Sequence, residues 1–212
     1  VDHHLERNHG HAEFFLVLAH QVLRVVGAVE RLARGVVARP GMVATDDEVR
    51  AAVVLPNDCI IEGLDDSKKL THTKRAKIYK EIESLAISYA VGIVEPEEID
   101  RINILQAALL AMEISVKKLT TKPDYLLIDG NQRTSLLLMQ ETIVKGDSKS
   151  CSIAAASIIA KVTRDLIMEE YHKQYPEYNF KDHKGYPTKE HYEAIKEHGP
   201  CPIHRKSFRG VL

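Results

Sequence analysis

The stretch that decides the fold contains three pieces: Tyr-Leu-Leu-Ile-Asp-Gly-Asn (125–131), Ile-Val-Lys-Gly-Asp (143–147) and Ser-Ile-Ala-Ala-Ala-Ser-Ile-Ile-Ala-Lys-Val-Thr-Arg-Asp (152–165). The apolar run 125–128 is typical of a short buried strand, and the Asp-Gly-Asn that follows it is a turn signal. A second short run, 142–144, ends in the same way at Lys-Gly-Asp. The sequence therefore predicts two strands that end at Asp129 and Asp147.

These two carboxylates suggest a chemistry. They are 18 residues apart, and two strand ends of this kind can meet at one edge of a sheet. Carboxylate oxygens bind Mg²⁺ or Mn²⁺, often together with phosphate groups of the substrate. A lone Asp-Gly after a strand is usually only a turn, so the pairing of the two carries the inference. The pattern favours a metal-dependent phosphodiester hydrolase.

The composition sets the broad class of protein. The chain has 212 residues, of which 44% are hydrophobic and 28% charged, and this is typical of one soluble globular domain or of one domain with an appendage. A net charge of −1 argues against a protein that coats nucleic acid by bulk charge, but it leaves room for a local basic groove.

The cysteines and the apolar runs indicate where the protein works. Cys59, Cys151 and Cys201 form no Cys-x-x-Cys pair, so neither a zinc site nor a disulfide framework is predicted. The apolar run 14–29 is interrupted by polar residues, among them Arg24, and is too short and too polar to span a membrane. We expect a cytoplasmic protein with no membrane segment, which functions as a monomer.

Residues 1–50 differ in composition from the rest of the chain. They contain six Arg and no Lys, whereas residues 51–212 contain 17 Lys and six Arg. One interpretation is an N-terminal extension or helical arm. Another is that this segment is partly translated from the wrong reading frame. The sequence is accordingly divided into an atypical segment, 1–50, and a domain, 51–212.

From residue 51 onward, strand and helix patterns alternate, which predicts an α/β fold with a mixed sheet. Strands are expected at 51–55 and 88–94, a helical turn at 95–98, and helices at 73–86, 102–119, 152–171 and 189–197. The helix 73–86 is expected to bury Ile78, Ile82, Leu85 and Ala86, and the helix 102–119 to bury Ile102, Leu105, Leu109, Met112 and Val116. We expect surface or groove positions for His183, His191, His198 and His204.

Several motifs, in order, carry a family resemblance. They are Gly63–Leu70, Gly92–Leu110, Asp129-Gly130-Asn131, Lys145-Gly146-Asp147, Ser152–Asp165, His183-Lys184-Gly185-Tyr186 and Gly199–Phe208. Together they resemble bacterial ribonuclease HII over residues 51–210. The resemblance implies a ribonuclease H-like mixed sheet flanked by helices, with a small helical C-terminal part. It also implies an endonuclease that cuts the RNA strand of RNA–DNA hybrids, including the 5′ side of single ribonucleotides embedded in DNA.

The resemblance also implies roles for individual residues. In that family four carboxylates hold two divalent ions, Mg²⁺ or Mn²⁺, and Asp129 and Asp147 match two of the four. Tyr186 matches the tyrosine that stacks on the ribose and helps to sense its 2′-OH. Substrate phosphates are expected to meet basic side chains, chiefly those of Lys68, Lys145 and Lys184.

One family motif, Asp-Glu-Ala-Gly-Arg-Gly at the end of the first strand, is not found in this sequence. Weak substitutes for its two acids are Glu30 and the pair Asp47 and Glu48. Three hypotheses remain. The chain is an active endonuclease that takes its second acid pair from residues 1–50, an inactive relic that still binds hybrid duplexes, or a frame-shifted product that lacks half of its metal ligands.

Overall fold

The computed structural model describes residues 48–64, 67, 70–208 and 211. The segment 1–47, with Glu30 and Asp47, lies outside the described residues, and so does Lys68. All statements below concern the described residues.

The domain begins with an antiparallel strand pair. Strand β1 (Glu48–Val54) pairs with β2 (Ser88–Val94), with Ala51 opposite Val91. Helix α1 (His72–Leu85) lies between them in the chain and begins at Thr71, whose Oγ1 accepts a hydrogen bond of 3.3 Å from the Lys74 N–H. The predicted strands at 51–55 and 88–94 and the helix at 73–86 are confirmed within a few residues.

A second, parallel pair carries the first of the two predicted carboxylates. Strand β3 (Tyr125–Asp129) pairs with β4 (Met139–Ile143), with Asp129 opposite Ile143. The second strand ends earlier than the predicted run 142–144, and Val144 is exposed. The Gly130 N–H continues the ladder by donating a hydrogen bond of 3.0 Å to the Ile143 carbonyl.

The two strand pairs lie side by side in one layer. Alternate residues of β1 and β3 enter the same two cores: Ala51 and Val53 share one with Leu127, and Ala52 and Val54 share the other with Leu126 and Ile128. Within the described residues, however, β1 is hydrogen-bonded only to β2 and β3 only to β4.

Two helices follow β2 where the sequence predicts a helical turn and then one long helix. Helix α2 (Pro96–Ile102) ends at Asn103, whose φ of 69° breaks the helix before α3 (Ile104–Lys118) begins. The predicted buried face of α3 is partly wrong, because Leu105 is 45% exposed. Small residues face β2 instead, since a Cβ at Gly92 would come within 1.9 Å of the Ala111 carbonyl oxygen.

The remaining elements form the helical C-terminal part. Helix α4 (Cys151–Gln174) is capped by Ser150 and is followed by a 3₁₀ turn (Pro176–Tyr178), α5 (Phe180–His183) and α6 (Lys189–His198). These elements bury a separate core of Met168, Tyr178, Phe180, Ile195, Ile203 and Val211.

The predicted α/β class is confirmed, and the described strands form one antiparallel and one parallel pair. The predicted burial of Leu85 is wrong. This residue, in the last turn of α1, is 40% exposed, because the buried face of the helix consists of Ile78 and Ile82. Among the described helices, none is both long enough and apolar enough to cross a membrane.

Candidate active site

Asp129 and the turn that carries Asp147 meet at the carboxyl end of β3. Asp129 is the last residue of that strand and is 4% exposed, whereas Asp147 lies in a 3₁₀ turn (Gly146–Ser148) and is 3% exposed. The Gly146 N–H donates a hydrogen bond of 2.8 Å to Oδ1 of Asp129, which ties the turn to the strand end. The structure thus brings together the two carboxylates that the sequence places at strand ends. Their role as metal ligands remains a prediction.

The turn that carries Asp147 is tightly packed. A Cβ at Gly146 would lie 2.3 Å from Cδ1 of Ile153 and 3.3 Å from Oδ1 of Asp129, so only glycine fits without a shift of these neighbours. The Gly146 carbonyl accepts a hydrogen bond of 2.8 Å from the Ser150 N–H at the start of α4. The helix and the strand together therefore fix where the Asp147 carboxylate lies.

A buried ion pair lies near these carboxylates. Glu48 and Arg50, on β1, are 5% and 7% exposed and form a salt bridge with each other. Burial raises the pKa of Glu48, an effect that the Arg50 charge opposes. Burial lowers the pKa of the Arg50 guanidinium, and the negative charges of Glu48 and Asp129 oppose this shift. Arg50 therefore places a buried positive charge within electrostatic reach of Asp129.

The carboxylates fit a divalent ion only in part. Within the described ranges, no group of three or more His, Cys, Asp or Glu side chains could hold a metal ion. Asp129 and Asp147 can nevertheless serve one Mg²⁺ or Mn²⁺, because Mg²⁺ keeps several waters and uses one or two carboxylates together with substrate phosphates. Glu48 is already paired with Arg50, so it is not available as a third ligand in this arrangement. The described residues fit one ion held jointly with a phosphate, and not a pair of ions.

Tyr186 lies in the turn that follows α5, and the residue is 40% exposed. The guanidinium carbon of Arg164, on α4, lies 5.5 Å from the centre of this ring. Nη2 of Arg164 also donates a hydrogen bond of 2.8 Å to the Lys184 carbonyl. Because the charge of Arg164 also acts on Glu48 and Arg50, this arginine connects the tyrosine turn with the strand-end site.

The predicted phosphate-binding lysines have different surroundings. Lys145 is exposed and adopts a left-handed conformation, φ 57°, just before the Asp147 turn. Nζ of Lys184 lies 2.8 Å from Oε1 of Glu169, and this contact is the leading reason why the pKa of Glu169 is lowered. A phosphate would therefore have to compete with Glu169 for Lys184.

The sequence reasoning gave no role to three arginines near the site, namely Arg50, Arg164 and Arg205. Arg205 is 5% exposed, and its charge acts on Glu48. Its segment is anchored to α2, because the Lys206 N–H donates a hydrogen bond of 2.8 Å to Oδ2 of Asp100. A signal was present for two of them, since Arg164 and Arg205 stand inside motifs on which the family resemblance rests.

One acid and two histidines of the C-terminal half are buried and paired. Asp165 is buried on α4 and forms ion pairs with Lys161 and Arg75. The surface or groove assignment is wrong for His191 and His204, which are 1% and 2% exposed. Both histidines have hydrogen-bond partners inside the C-terminal core, and these bonds offset the cost of burying polar rings.

Comparison with known proteins identifies the family. The sequence model of ribonuclease HII matches residues 49–211. The chain belongs to the ribonuclease HII family, a family of endoribonucleases. Ribonuclease HII of Clostridioides difficile strain 630 is 51% identical over 183 residues, which are 86% of this chain and 69% of that relative.

Solved structures agree with the family at the level of the fold. Ribonuclease H2 of Pyrococcus horikoshii OT3 superimposes with a TM-score of 0.69 at 25% identity, covering 84% of this chain and 93% of that one. Bst-RNase HIII, solved in complex with Mn²⁺, has a TM-score of 0.67 at 16% identity and covers 89% of this chain and 70% of its own. The predicted ribonuclease H-like fold is therefore confirmed.

Proposed function

We propose that this ribonuclease HII is a metal-dependent endonuclease that hydrolyses the RNA strand of RNA–DNA hybrids, including the 5′ side of single ribonucleotides embedded in DNA. The observation that carries the proposal is the buried pair Asp129 and Asp147, joined through the Gly146 N–H at the end of β3. This pair lies inside the part of the chain, residues 49–211, that matches the family.

In this proposal the chain's residues bind and orient the substrate. Asp129 and Asp147 hold a divalent ion together with the scissile phosphate. The exposed ring of Tyr186 stacks on the ribose of the ribonucleotide, whose 2′-OH distinguishes RNA from DNA. Lys145, exposed beside Asp147, meets a backbone phosphate. Lys68 and Lys184 are proposed for the same phosphate-binding task.

Divalent ions supply activation of the attacking water and stabilisation of the leaving 3′ oxygen when they are bound in such a site. A two-ion reaction requires more carboxylates than Asp129 and Asp147. Glu30 and Asp47 lie outside the described residues. Glu48 could take part only after release from Arg50, with which it is buried. The two-ion reaction therefore depends on acids that residues 1–50 would have to supply.

A second candidate function is binding of hybrid duplexes without cleavage. The observation that favours it is Arg50, whose buried positive charge acts on Asp129 and weakens the attraction of that carboxylate for a cation. Tyr186 and the lysines would still bind the duplex. Such binding would weaken steeply as salt is added, because it depends on phosphate contacts.

An incision assay separates the two functions. A duplex with one embedded ribonucleotide is incubated with Mg²⁺ or Mn²⁺. The enzyme proposal expects cleavage 5′ to the ribonucleotide that is lost in Asp129→Asn and kept in Asp124→Asn, an exposed acid just before the same strand. Binding of the duplex without any cut would reject the enzyme and support the binding protein. Absence of both would reject both.

A chimera tests whether residues 1–47 are the cause of any inactivity. The segment is replaced by the corresponding N-terminal part of the Clostridioides difficile relative, and the incision assay is repeated. If cleavage appears only in the chimera, the described domain is competent and lacks only the family's first strand with its acid pair. If the chimera folds but still does not cut, the assigned roles of Asp129 and Asp147 are wrong.

The physical state of the protein belongs to the same proposal. We expect a monomer that acts on hybrid duplexes in the cytoplasm. Light scattering during size-exclusion chromatography measures the molar mass in solution, and a mass near 23.8 kDa would agree with a monomer. Twice that mass would overturn this part of the proposal.

A further inference from the structure

Three histidines lie beneath the turn that carries Tyr186. His191 and His204 are almost fully buried. The ring of His183 stacks on that of His191, with ring centres 4.4 Å apart and planes 16° from parallel. None of the three has a role in the reaction described above. Buried imidazoles in direct contact with each other are costly unless their hydrogen bonds are arranged to suit them.

The two buried histidines form a continuous chain of hydrogen bonds. The Cys201 N–H donates to Nδ1 of His204 over 3.0 Å. Nε2 of His204 lies 3.1 Å from Nε2 of His191. Nδ1 of His191 lies 3.1 Å from the carbonyl oxygen of Tyr186. The chain therefore runs from the last loop of the domain to the backbone of the proposed ribose-binding residue.

The contacts at its two ends set the direction of this chain. Nδ1 of His204 lies 3.0 Å from the Cys201 amide nitrogen, which can only donate, and 3.3 Å from the Cys201 carbonyl oxygen. The shorter contact assigns an accepting Nδ1 and a proton on Nε2. The Tyr186 carbonyl can only accept, so Nδ1 of His191 carries a proton and its Nε2 accepts. The two assignments agree at the central contact, where His204 Nε2–H donates to His191 Nε2. This pair of neutral tautomers satisfies all three bonds.

His183 is fixed by the same reasoning. Its Nδ1 accepts a hydrogen bond of 3.2 Å from the Gly185 N–H, and its Nε2 lies 2.6 Å from the Tyr178 carbonyl, to which it must donate. The turn between them needs support, since Lys184 and Gly185 have φ values of 48° and 77°. His183 and His191 together hold the backbone on both sides of this left-handed pair.

We propose that His191 and His204 are positioning residues that fix the backbone of Tyr186, and with it the ring that recognises the ribose. The inference rests on the proposed function for the role of Tyr186. The chain of hydrogen bonds from Cys201 through His204 and His191 to the Tyr186 carbonyl, here called the relay, rests only on the geometry above. Arg164 supports the same turn from α4, through its bond to the Lys184 carbonyl and its place over the Tyr186 ring.

The surroundings keep the relay neutral. The titratable groups that act on His191 are His183 and His204. His204 faces His183, the Cys201 thiol, whose Sγ lies 3.0 Å from Nδ1, and Tyr178, whose ring centre lies 5.0 Å from its own. Protonation of His191 would point two N–H groups at each other across the 3.1 Å contact with His204. Burial lowers the pKa of His191 to about 4, in agreement with a neutral ring.

The first test is a long-range ¹H–¹⁵N spectrum of the histidine side chains in the full chain at pH 7. The relay expects the Nδ1–H tautomer for His191 and the Nε2–H tautomer for His204 and His183. A charged His191, or the Nε2–H tautomer for it, would overturn the proposal. The spectrum is read on the wild-type protein, and single His substitutions serve only to assign its signals.

The second test asks whether His191 acts through Tyr186. His191→Phe keeps an aromatic ring but removes both hydrogen bonds, and His198→Phe, at an exposed position on the same helix, is the matched control. In EDTA, we expect His191→Phe to weaken binding of a duplex with one ribonucleotide about 10-fold, the factor that corresponds to one ordinary hydrogen bond. Binding of an all-DNA duplex by His191→Phe should not change. Binding of the ribonucleotide duplex by His198→Phe should not change either.

The same loss should vanish in a Tyr186→Ala background, because a positioning residue has nothing left to position there. An unchanged 10-fold loss in that background would show a general structural role and overturn the proposal. If the wild-type protein binds neither duplex, the proposed function fails. The ¹³C shift of the Tyr186 carbonyl then tests whether His191 positions the Tyr186 backbone. A shift that changes in His191→Phe but not in His198→Phe supports the relay, whereas an unchanged shift rejects it.

Discussion

The Gly146 N–H donates a 2.8 Å hydrogen bond to Oδ1 of Asp129, and it thereby places the next residue, Asp147, beside the end of β3. The bond uses one lone pair of the Asp129 carboxylate and leaves the remaining acceptor capacity for a cation. An amide oxygen can accept the same bond. The carboxylate of Asp129 can therefore be neutralised without removing what holds the turn.

Asp129→Asn should remove metal-dependent incision while the fold is retained. We expect incision to fall more than about 100-fold, since changes even to the outer partners of metal ligands cost roughly 10- to 100-fold. The melting temperature should change little, because Oδ1 of Asn can accept the Gly146 bond. Incision rates and circular dichroism melts measure the two quantities, with Asp124→Asn as control. Full activity of Asp129→Asn would exclude this residue as a ligand.

Arg50→Met should destabilise the fold strongly. The substitution leaves the buried Glu48 carboxylate without its partner, and breaking a buried pair in this way typically costs about 3–5 kcal/mol. The double variant Glu48→Gln/Arg50→Met should recover most of that loss, because no buried charge is then left alone. Urea unfolding of the three proteins gives the free energies. Equal losses in the single and double variants would contradict the argument.

The single variant Arg50→Met should bind Mn²⁺ more tightly than the wild-type protein. It lacks the buried positive charge of Arg50 that acts on Asp129 and keeps the Glu48 carboxylate, and removal of a positive charge near a carboxylate favours a cation there. Isothermal titration calorimetry measures the affinity, and Glu97→Gln, an exposed acid at the start of α2, serves as control. An unchanged or weaker affinity would show that Arg50 does not oppose metal binding.

The protein should lose stability as the pH falls below about 6.5. Burial lowers the pKa of His191 from 6.5 to about 4, so between these values the unfolded chain binds a proton that the folded chain does not. Stability is therefore complete above the unfolded pKa and declines toward pH 4, by about 3 kcal/mol for this residue. The lowered pKa values of His183 and His204 act in the same direction. Urea unfolding between pH 7.5 and 4.5 should show a smaller slope with pH in His191→Phe.

Gly92→Ala should separate α3 from β2. The new Cβ would lie 1.9 Å from the Ala111 carbonyl oxygen and 2.8 Å from the Ser115 nitrogen, both backbone atoms that cannot turn aside. Overpacking of this kind costs about 1–3 kcal/mol or more. Gly63→Ala is the comparison, since a Cβ there has open space and meets only the cost of a φ of 74°. A smaller loss in Gly92→Ala than in Gly63→Ala would argue against the close helix–strand contact.

The sequence by itself determined the family, the order of strands and helices, and the two carboxylates. Asp129 and Asp147 could be found because each follows a short apolar run and a turn signal, which are local patterns. The same local logic failed for the buried face of α3, where Leu105 is exposed, because that face is selected by the close contact of the helix with Gly92 on strand β2.

Only the tertiary structure decided what the charged and polar side chains do. His191 and His204 were assigned to the surface because imidazole is polar, yet they are buried and lie in hydrogen-bond contact with each other across 13 residues of the chain. Arg164 and Arg205 act on Glu48 from α4 and the last loop, and no spacing in the sequence predicts that these two arginines approach Glu48. Burial and pairing depend on distances between elements far apart in the chain, whereas periodicity records only what happens within one element.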